Sequence, residues 1–146
     1  MMLSALLYNE KENSVEKRGI AGRVLVIDHE MSMRRFYKIQ LSHMRFEFDM
    51  VLLGHEGLEK LNSWHSMVII EMTLPDVDGL TIASTIRERF DYLANIPIIA
   101  VSRLPITGIR QECQRARINA LLKKPLAENE LRSVLMRYAN KISTAA

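Results

Sequence analysis

The sequence predicts an α/β protein with a three-layer, doubly wound (βα)5 arrangement of helices around a five-stranded parallel sheet. Two observations carry this expectation. Five short apolar runs alternate with amphipathic helical patterns, the signature of successive βα units. The runs are continuous rather than alternating, so each strand is expected to be covered on both faces, as parallel strands are. Right-handed crossovers then place helices on both sides of the sheet.

Each element follows from local residue choice. Val24–Ile27 is a β-branched and leucine run, hence the first strand. Ser32–Met44 carries Met33, Phe36, Tyr37, Ile39, Leu41 and Met44, close to an i, i+3, i+4, i+7 stripe, hence a helix. Phe48–Leu53 reads as the second strand. Gly54 and Gly57 bracket the turn into a short helix over Glu56–Asn62. Met67–Ile70 is the third strand, and Leu80–Phe90 a helix with Ile82, Ile86 and Phe90 on one face. Ile98–Val101, just after Pro97, is the fourth strand. Pro105 and Thr107 mark the start of a predicted helix over Ile106–Arg117. Ala120–Leu122 is the fifth strand, and Glu128–Ala139 a last helix with Leu131, Val134, Leu135 and Tyr138 on one face. Residues 1–21 precede this pattern and read as an N-terminal tail or an extra helix; residues 22–146 form the domain.

Composition narrows the class. With 146 residues, 48% of them apolar and 25% charged, the chain has enough core for one globular domain. No apolar run approaches the ~20 residues that cross a bilayer, so no membrane association is expected. The single Cys113 excludes an intramolecular disulfide and fits a cytoplasmic location. Residues 103–141 hold nine basic residues against three acidic ones, while the rest holds eleven against fourteen. That basic third suits an acidic partner; no helix-turn-helix or aromatic interleaving accompanies it, so direct nucleic-acid binding is not the leading expectation.

The stretch from Met67 to Gly79 carries the chemistry. Its apolar run ends in a carboxylate, Glu71, and a turn with Pro75 and Asp78-Gly79 leads into a helix. Open α/β sheets place their sites at the carboxyl ends of strands near the switch point. Asp28-His29-Glu30, after the first strand, is expected to meet Glu71 there.

Several short motifs fall on this scaffold in one order. They are Val-Leu-Val-Ile-Asp28-His29-Glu30, Glu71 with Met72–Gly79 after it, Ser102 after the fourth strand, and Lys124-Pro125 after the fifth. In that order and spacing, over roughly residues 22–140, the chain resembles the CheY-like receiver domain of two-component response regulators, a flavodoxin-like fold. The resemblance implies a nucleophilic carboxylate at position 71, acidic groups at 28 and 29 that hold Mg²⁺, a Ser or Thr at 102 and a Lys at 124 beside the phosphoryl group. It also implies a switching aromatic at position 121.

Three positions depart from the family's pattern. Glu71 stands where the family has its phosphoacceptor Asp, and its longer side chain would misplace an in-line attack. His29 replaces a carboxylate at the metal, and Mg²⁺ prefers oxygen. Leu121 replaces the aromatic. The pocket of Asp28, His29, Glu71, Ser102 and Lys124 therefore reads as a degenerate phosphoacceptor site with no catalytic residue. No cofactor is expected: Mg²⁺ binding is weakened, and Asp28, His29 and Thr73 remain as its vestigial site.

The expected function is that of an atypical receiver, not an enzyme, in phosphorelay signal transduction. It would bind a kinase, phosphotransfer or output protein through its fourth helix, fifth strand and fifth helix, with a homodimer as a further use of that face. Two alternatives stay open: slow phosphoacceptor activity at Glu71, and a basic regulator that contacts DNA.

Overall fold

A computed structural model describes residues 22–89 and 93–145. The N-terminal segment expected as tail or helix, and Phe90, lie outside the described residues. The strands are β1 (Arg23–Ile27), β2 (Glu47–Val51), β3 (Met67–Glu71), β4 (Ile98–Ser102) and β5 (Ala120–Lys123). The helices are α1 (Met31–His43), α2 (Gly54–Lys60), α3 (Gly79–Arg89), α4 (Arg110–Arg115) and α5 (Glu128–Ala145). The sheet is parallel throughout, in the order β2-β1-β3-β4-β5. This is the predicted three-layer, doubly wound architecture.

Strand alternation sorts the core into two halves. Leu25, Ile27, Val68, Ile70, Ile98 and Ala100 face one side, where Ile82 and Ile86 of α3 and Cys113 of α4 cover them. Val24, Val26, Met67, Ile69, Ile99 and Val101 face the other, under Met33, Tyr37 and Leu41 of α1 and Leu131, Leu135 and Tyr138 of α5. Every residue of β3 and β4 is buried. Each fully buried Val, Leu or Ile there contributes roughly 1.5–3 kcal/mol relative to exposure.

Two predicted details are corrected. Gly54 and Gly57 are not turn residues; both lie inside α2 and are buried. A Cβ on Gly57 would sit 2.3 Å from Cδ1 and 2.8 Å from Cγ1 of the buried Ile27, so a larger residue would force that side chain to move. The continuous helix expected over 106–117 is instead a 3₁₀ turn at Ile106–Gly108 followed by the short α4. Its end is a Schellman closure: the Ile118 N–H donates to the Cys113 carbonyl at 2.9 Å and the Arg117 N–H to the Gln114 carbonyl at 3.0 Å. Arg117 adopts φ 57° there. The same closure ends α1, where Arg45 has φ 62° and Phe46 N–H donates to the Leu41 carbonyl. In both places an arginine occupies the left-handed position that glycine would adopt without steric cost.

A buried cation ties down the α4 end of the sheet. Arg87 of α3 is 8% exposed. Its five N–H groups donate to the carbonyls of Ala94, Ile96 and Arg117 and to Oδ1 of Asn119. Burial, with the nearby charge of Arg117, holds its pKa below the ordinary value. The planar fork satisfies acceptors on two separate loops at once.

Candidate pocket at the carboxyl ends of the strands

The parallel sheet brings the ends of β1, β3, β4 and β5 to one edge of the molecule. Asp28 follows β1 directly, Glu71 and Ser102 are the last residues of β3 and β4, and Lys124 follows β5. Asp28, Glu71, Ser102 and Lys124 are all buried polar residues at the end of an otherwise apolar sheet. The Lys124-Pro125 peptide is cis.

Lys124 is the centre of the pocket. Its ammonium donates to Oε1 of Glu71 at 2.7 Å and to Oε1 of Glu30 at 2.9 Å, and lies 3.1 Å from Oδ2 of Asp28. Its side chain is fully buried. Burial alone would lower its pKa, but the hydrogen bonds to Glu30 and Glu71 and the charges of Asp28 and Glu71 outweigh that and raise it. Lys124 is therefore a fixed internal cation.

Glu71 is held from both sides. Its second oxygen, Oε2, meets Nδ1 of His29 at 2.5 Å. The extra methylene thus places one carboxylate oxygen on an ammonium and the other on an imidazole. Asp28 accepts the Glu30 N–H on Oδ1 at 2.8 Å, while Oδ2 has no hydrogen bond, only the ion pair with Lys124. Burial, with the charge of Glu71 adding to it, raises Asp28 to about 6 against the pull of the Glu30 N–H and Lys124. Beneath them the Tyr37 hydroxyl is buried with no hydrogen-bond partner among the described residues, and burial near these carboxylates pushes its pKa well above 10.

Two further residues complete the pocket: Glu30, expected at this edge but given no role, and Arg103, which sequence reasoning did not place there. Glu30 is the N-cap of α1, yet its side chain makes no cap and turns inward to Lys124. Arg103, after β4, grips the same carboxylate, with Nε donating to Oε1 at 3.0 Å and Nη2 to Oε2. The hydrogen bond to Arg103, then that to Lys124, lowers Glu30 to about 2. The acidic tripeptide Asp28–Glu30 was the available signal for Glu30; a lone Arg103 gave none.

Other predicted positions stand apart from this cluster. Ser102 is buried, and its Oγ accepts the Leu104 N–H at 2.9 Å. Thr73 is exposed in the loop after β3 and pairs with Asp78 across a β-bridge. Leu121 lies on β5, opposite Ala100, and packs partly buried against the core. Asp76 and Asp78 build the loop: Asp76 accepts the Gly54 and His55 N–H groups at the start of α2, and Asp78 accepts the Thr81 N–H at the start of α3. Gly79 is required beside them, since a Cβ there would lie 2.7 Å from the Glu71 carbonyl oxygen.

A doubly wound sheet with an acidic pocket and a buried Lys at its carboxyl edge defines a phosphoreceiver-like class of signalling module. The chain belongs to the response regulator receiver domain family, whose pattern matches residues 24–136. It is similar to the response regulator ArlR of Staphylococcus aureus, with 28% identity over 81 residues, 55% of this chain and 35% of that protein. The chain thus spans about a third of the length of these curated relatives. In fold it is similar to the chemotaxis response regulator CheY4 of Vibrio cholerae, with TM-score 0.73 and 21% identity over 80% of this chain and 98% of that one. It is also similar to the receiver domain of the sensor histidine kinase PA1611 of Pseudomonas aeruginosa, with TM-score 0.71 and 22% identity over 82% and 98%. That structure has a magnesium ion in its active-site cleft. Receiver domains are generally non-enzymatic signalling modules. No helix among the described residues is long and apolar enough to cross a membrane.

The donor set here fits Mg²⁺ poorly. Ligand atoms of Asp28, His29 and Glu71 lie within 4.8 Å of one another, but one is an imidazole nitrogen. The Lys124 ammonium already contacts both carboxylates. A hard cation that demands oxygen in octahedral geometry would have to displace that ammonium.

Proposed function

We propose that this receiver domain works as a phosphorylation-independent interaction module in two-component signalling, in the cytoplasm and without catalytic turnover. One observation carries the reading: both oxygens of Glu71 are engaged, one by Lys124 at 2.7 Å and one by His29 at 2.5 Å. A nucleophilic carboxylate needs a free lone pair aligned on phosphorus, and misplacement by ~1 Å costs on the order of 100-fold. The positive charge that Mg²⁺ brings to an ordinary pocket is supplied here by Lys124 and Arg103, facing Asp28, Glu30 and Glu71. The pocket is then a degenerate one, complete without metal.

The partner face is that of α4, β5 and α5. Arg110, Arg115, Lys123, Arg132 and Arg137 are exposed there, and they suit a protein partner with an acidic surface. Leu121, without a hydroxyl, cannot report the pocket's state to that face as a tyrosine would. Binding through it is expected to be constitutive.

The test is incubation of the purified chain with acetyl phosphate and Mg²⁺, followed by intact-mass measurement. No phosphoryl adduct is expected. An adduct that disappears in Glu71→Gln would overturn the reading in favour of slow phosphoacceptor activity.

A further inference from the structure

We propose that the Glu30–Arg103 ion pair is a latch: it ties the segment between β4 and α4 to the pocket, the link that a phosphoryl group would otherwise make. This rests on the reading that the pocket is not phosphorylated.

The segment has one strong tie to the rest of the pocket. Ser102, the residue placed to reach a phosphoryl group, has its hydroxyl turned to the Leu104 N–H of its own segment. Arg103 instead crosses to the β1–α1 connection with a two-pronged grip on Glu30. The anchor it grips is fixed. Glu30 is held by Lys124 at 2.9 Å, its N–H donates to Asp28, and its carbonyl accepts the Arg34 N–H at 3.0 Å. Beyond Arg103 the backbone is held locally, by the 3₁₀ turn in which Gly108 N–H donates to the Pro105 carbonyl at 3.3 Å.

The same segment forms one wall of a groove. Leu104, half exposed, and Ile109 face Met72 and Leu80 across a cavity of about 500 Å³ beside the pocket. Freeing Arg103 frees Leu104 next to it, so the latch sets the shape of that groove and the start of α4. The latch is also accessible: the Arg103 side chain is 60% exposed against 20% for Glu30. A competing carboxylate or high salt reaches Arg103 without disturbing the buried Lys124 pairs. Its two-pronged geometry and its link to Lys124 distinguish it from an isolated surface pair.

Amide hydrogen exchange on the full chain tests this at Leu104, Gly108 and Cys113, whose N–H groups donate to Ser102 Oγ, the Pro105 carbonyl and the Ile109 carbonyl. Arg103→Gln is expected to speed exchange at these three amides by about tenfold, with Ile69 and Val101 unchanged. Arg103→Lys should fall between, because it keeps the charge and loses the fork. Glu30→Gln should reproduce Arg103→Gln, and the double variant should add nothing. In the wild type, 1 M NaCl should act in the same direction. Unchanged exchange in Arg103→Gln, unprotected amides in the wild type, or equal acceleration at Ile69 and Val101 would each overturn the latch. A phosphoryl adduct on the wild type would instead overturn the reading beneath it, so the two failures are separable.

Discussion

Lys124 and Glu71 form a buried ion pair of 2.7 Å between the ends of β5 and β3, with the lysine side chain fully enclosed. Pairing offsets much of the desolvation cost of a charge in such a place; a bare charge bears it in full. Lys124→Met removes the cation and leaves Asp28, Glu30 and Glu71 facing one another. The expected loss is roughly 3–5 kcal/mol, the usual cost of breaking a buried pair from one side. Urea unfolding at pH 7.5 measures it, and a loss below about 1 kcal/mol would show that the pocket is wetter than its geometry implies.

Asp28 sets a pH dependence of definite sign. Its folded pKa is about 6 against an ordinary 3.8, chiefly through burial, so between those values the folded chain binds more protons than the unfolded one. Stability from this group falls as pH rises through that window and is flat above it, on the order of 1–3 kcal/mol in all. Glu30 acts oppositely: folded at about 2 against 4.5, it contributes stability above pH 4.5 that is lost as pH falls toward 2. The part of the profile set by these two groups should peak near pH 4, between 3.8 and 4.5, and fall from there to about pH 6. Asp28→Asn keeps an acceptor for the Glu30 N–H and should abolish the decline between about pH 4.5 and 6. A decline of the same size in the variant would assign it to another group.

Gly79→Ala tests the close approach of the β3–α3 loop. The new Cβ would lie 2.7 Å from the Glu71 carbonyl oxygen and 2.9 Å from Cα of Met72, and neither backbone atom can swing aside. Alanine favours the helix by about 1 kcal/mol, but overpacking costs typically 1–3. A net loss of about 1–2 kcal/mol is expected, with amide shifts at Glu71 and Met72. A stabilised variant would mean the loop yields freely.

Arg87→Met removes five donors from a buried side chain. The carbonyls of Ala94, Ile96 and Arg117 lose their side-chain partner. About 2–4 kcal/mol should be lost, since each orphaned buried acceptor costs about 1–3 kcal/mol before relaxation. Arg87→Lys should recover only part of it, because an ammonium has three donors and no fork. Thermal or urea melts of both variants provide the comparison.

The strands were legible because burial on both faces writes itself as continuous apolar runs, as in Ile98–Val101. The doubly wound arrangement followed from right-handed crossovers, and the meeting of Asp28 and Glu71 at the carboxyl edge followed from that arrangement. The breakdown of the 106–117 helix was not legible. The 3₁₀ turn at Ile106–Gly108 interrupts it before α4 begins, and at its other end no local residue announces that Arg117 will take the left-handed position of a glycine. The burial of Gly54 and Gly57 was hidden for a related reason: a glycine in a turn and a glycine under a crossing strand read alike. Arg103 and Glu30 are 73 residues apart, and such a pair leaves no mark on sequence periodicity.

The position of Lys124 also bears on how the molecule comes together. Its partners lie 94 and 53 residues earlier in the chain, at Glu30 and Glu71. Contacts of that separation carry a loop-closure entropy that other pairings must offset. β5 is an edge strand that joins the sheet through β4 alone. Until it docks, three carboxylates crowd one end of the sheet without their lysine and repel each other. The charge balance of the sheet edge therefore depends on the register of its last strand, since Lys124 follows β5 directly.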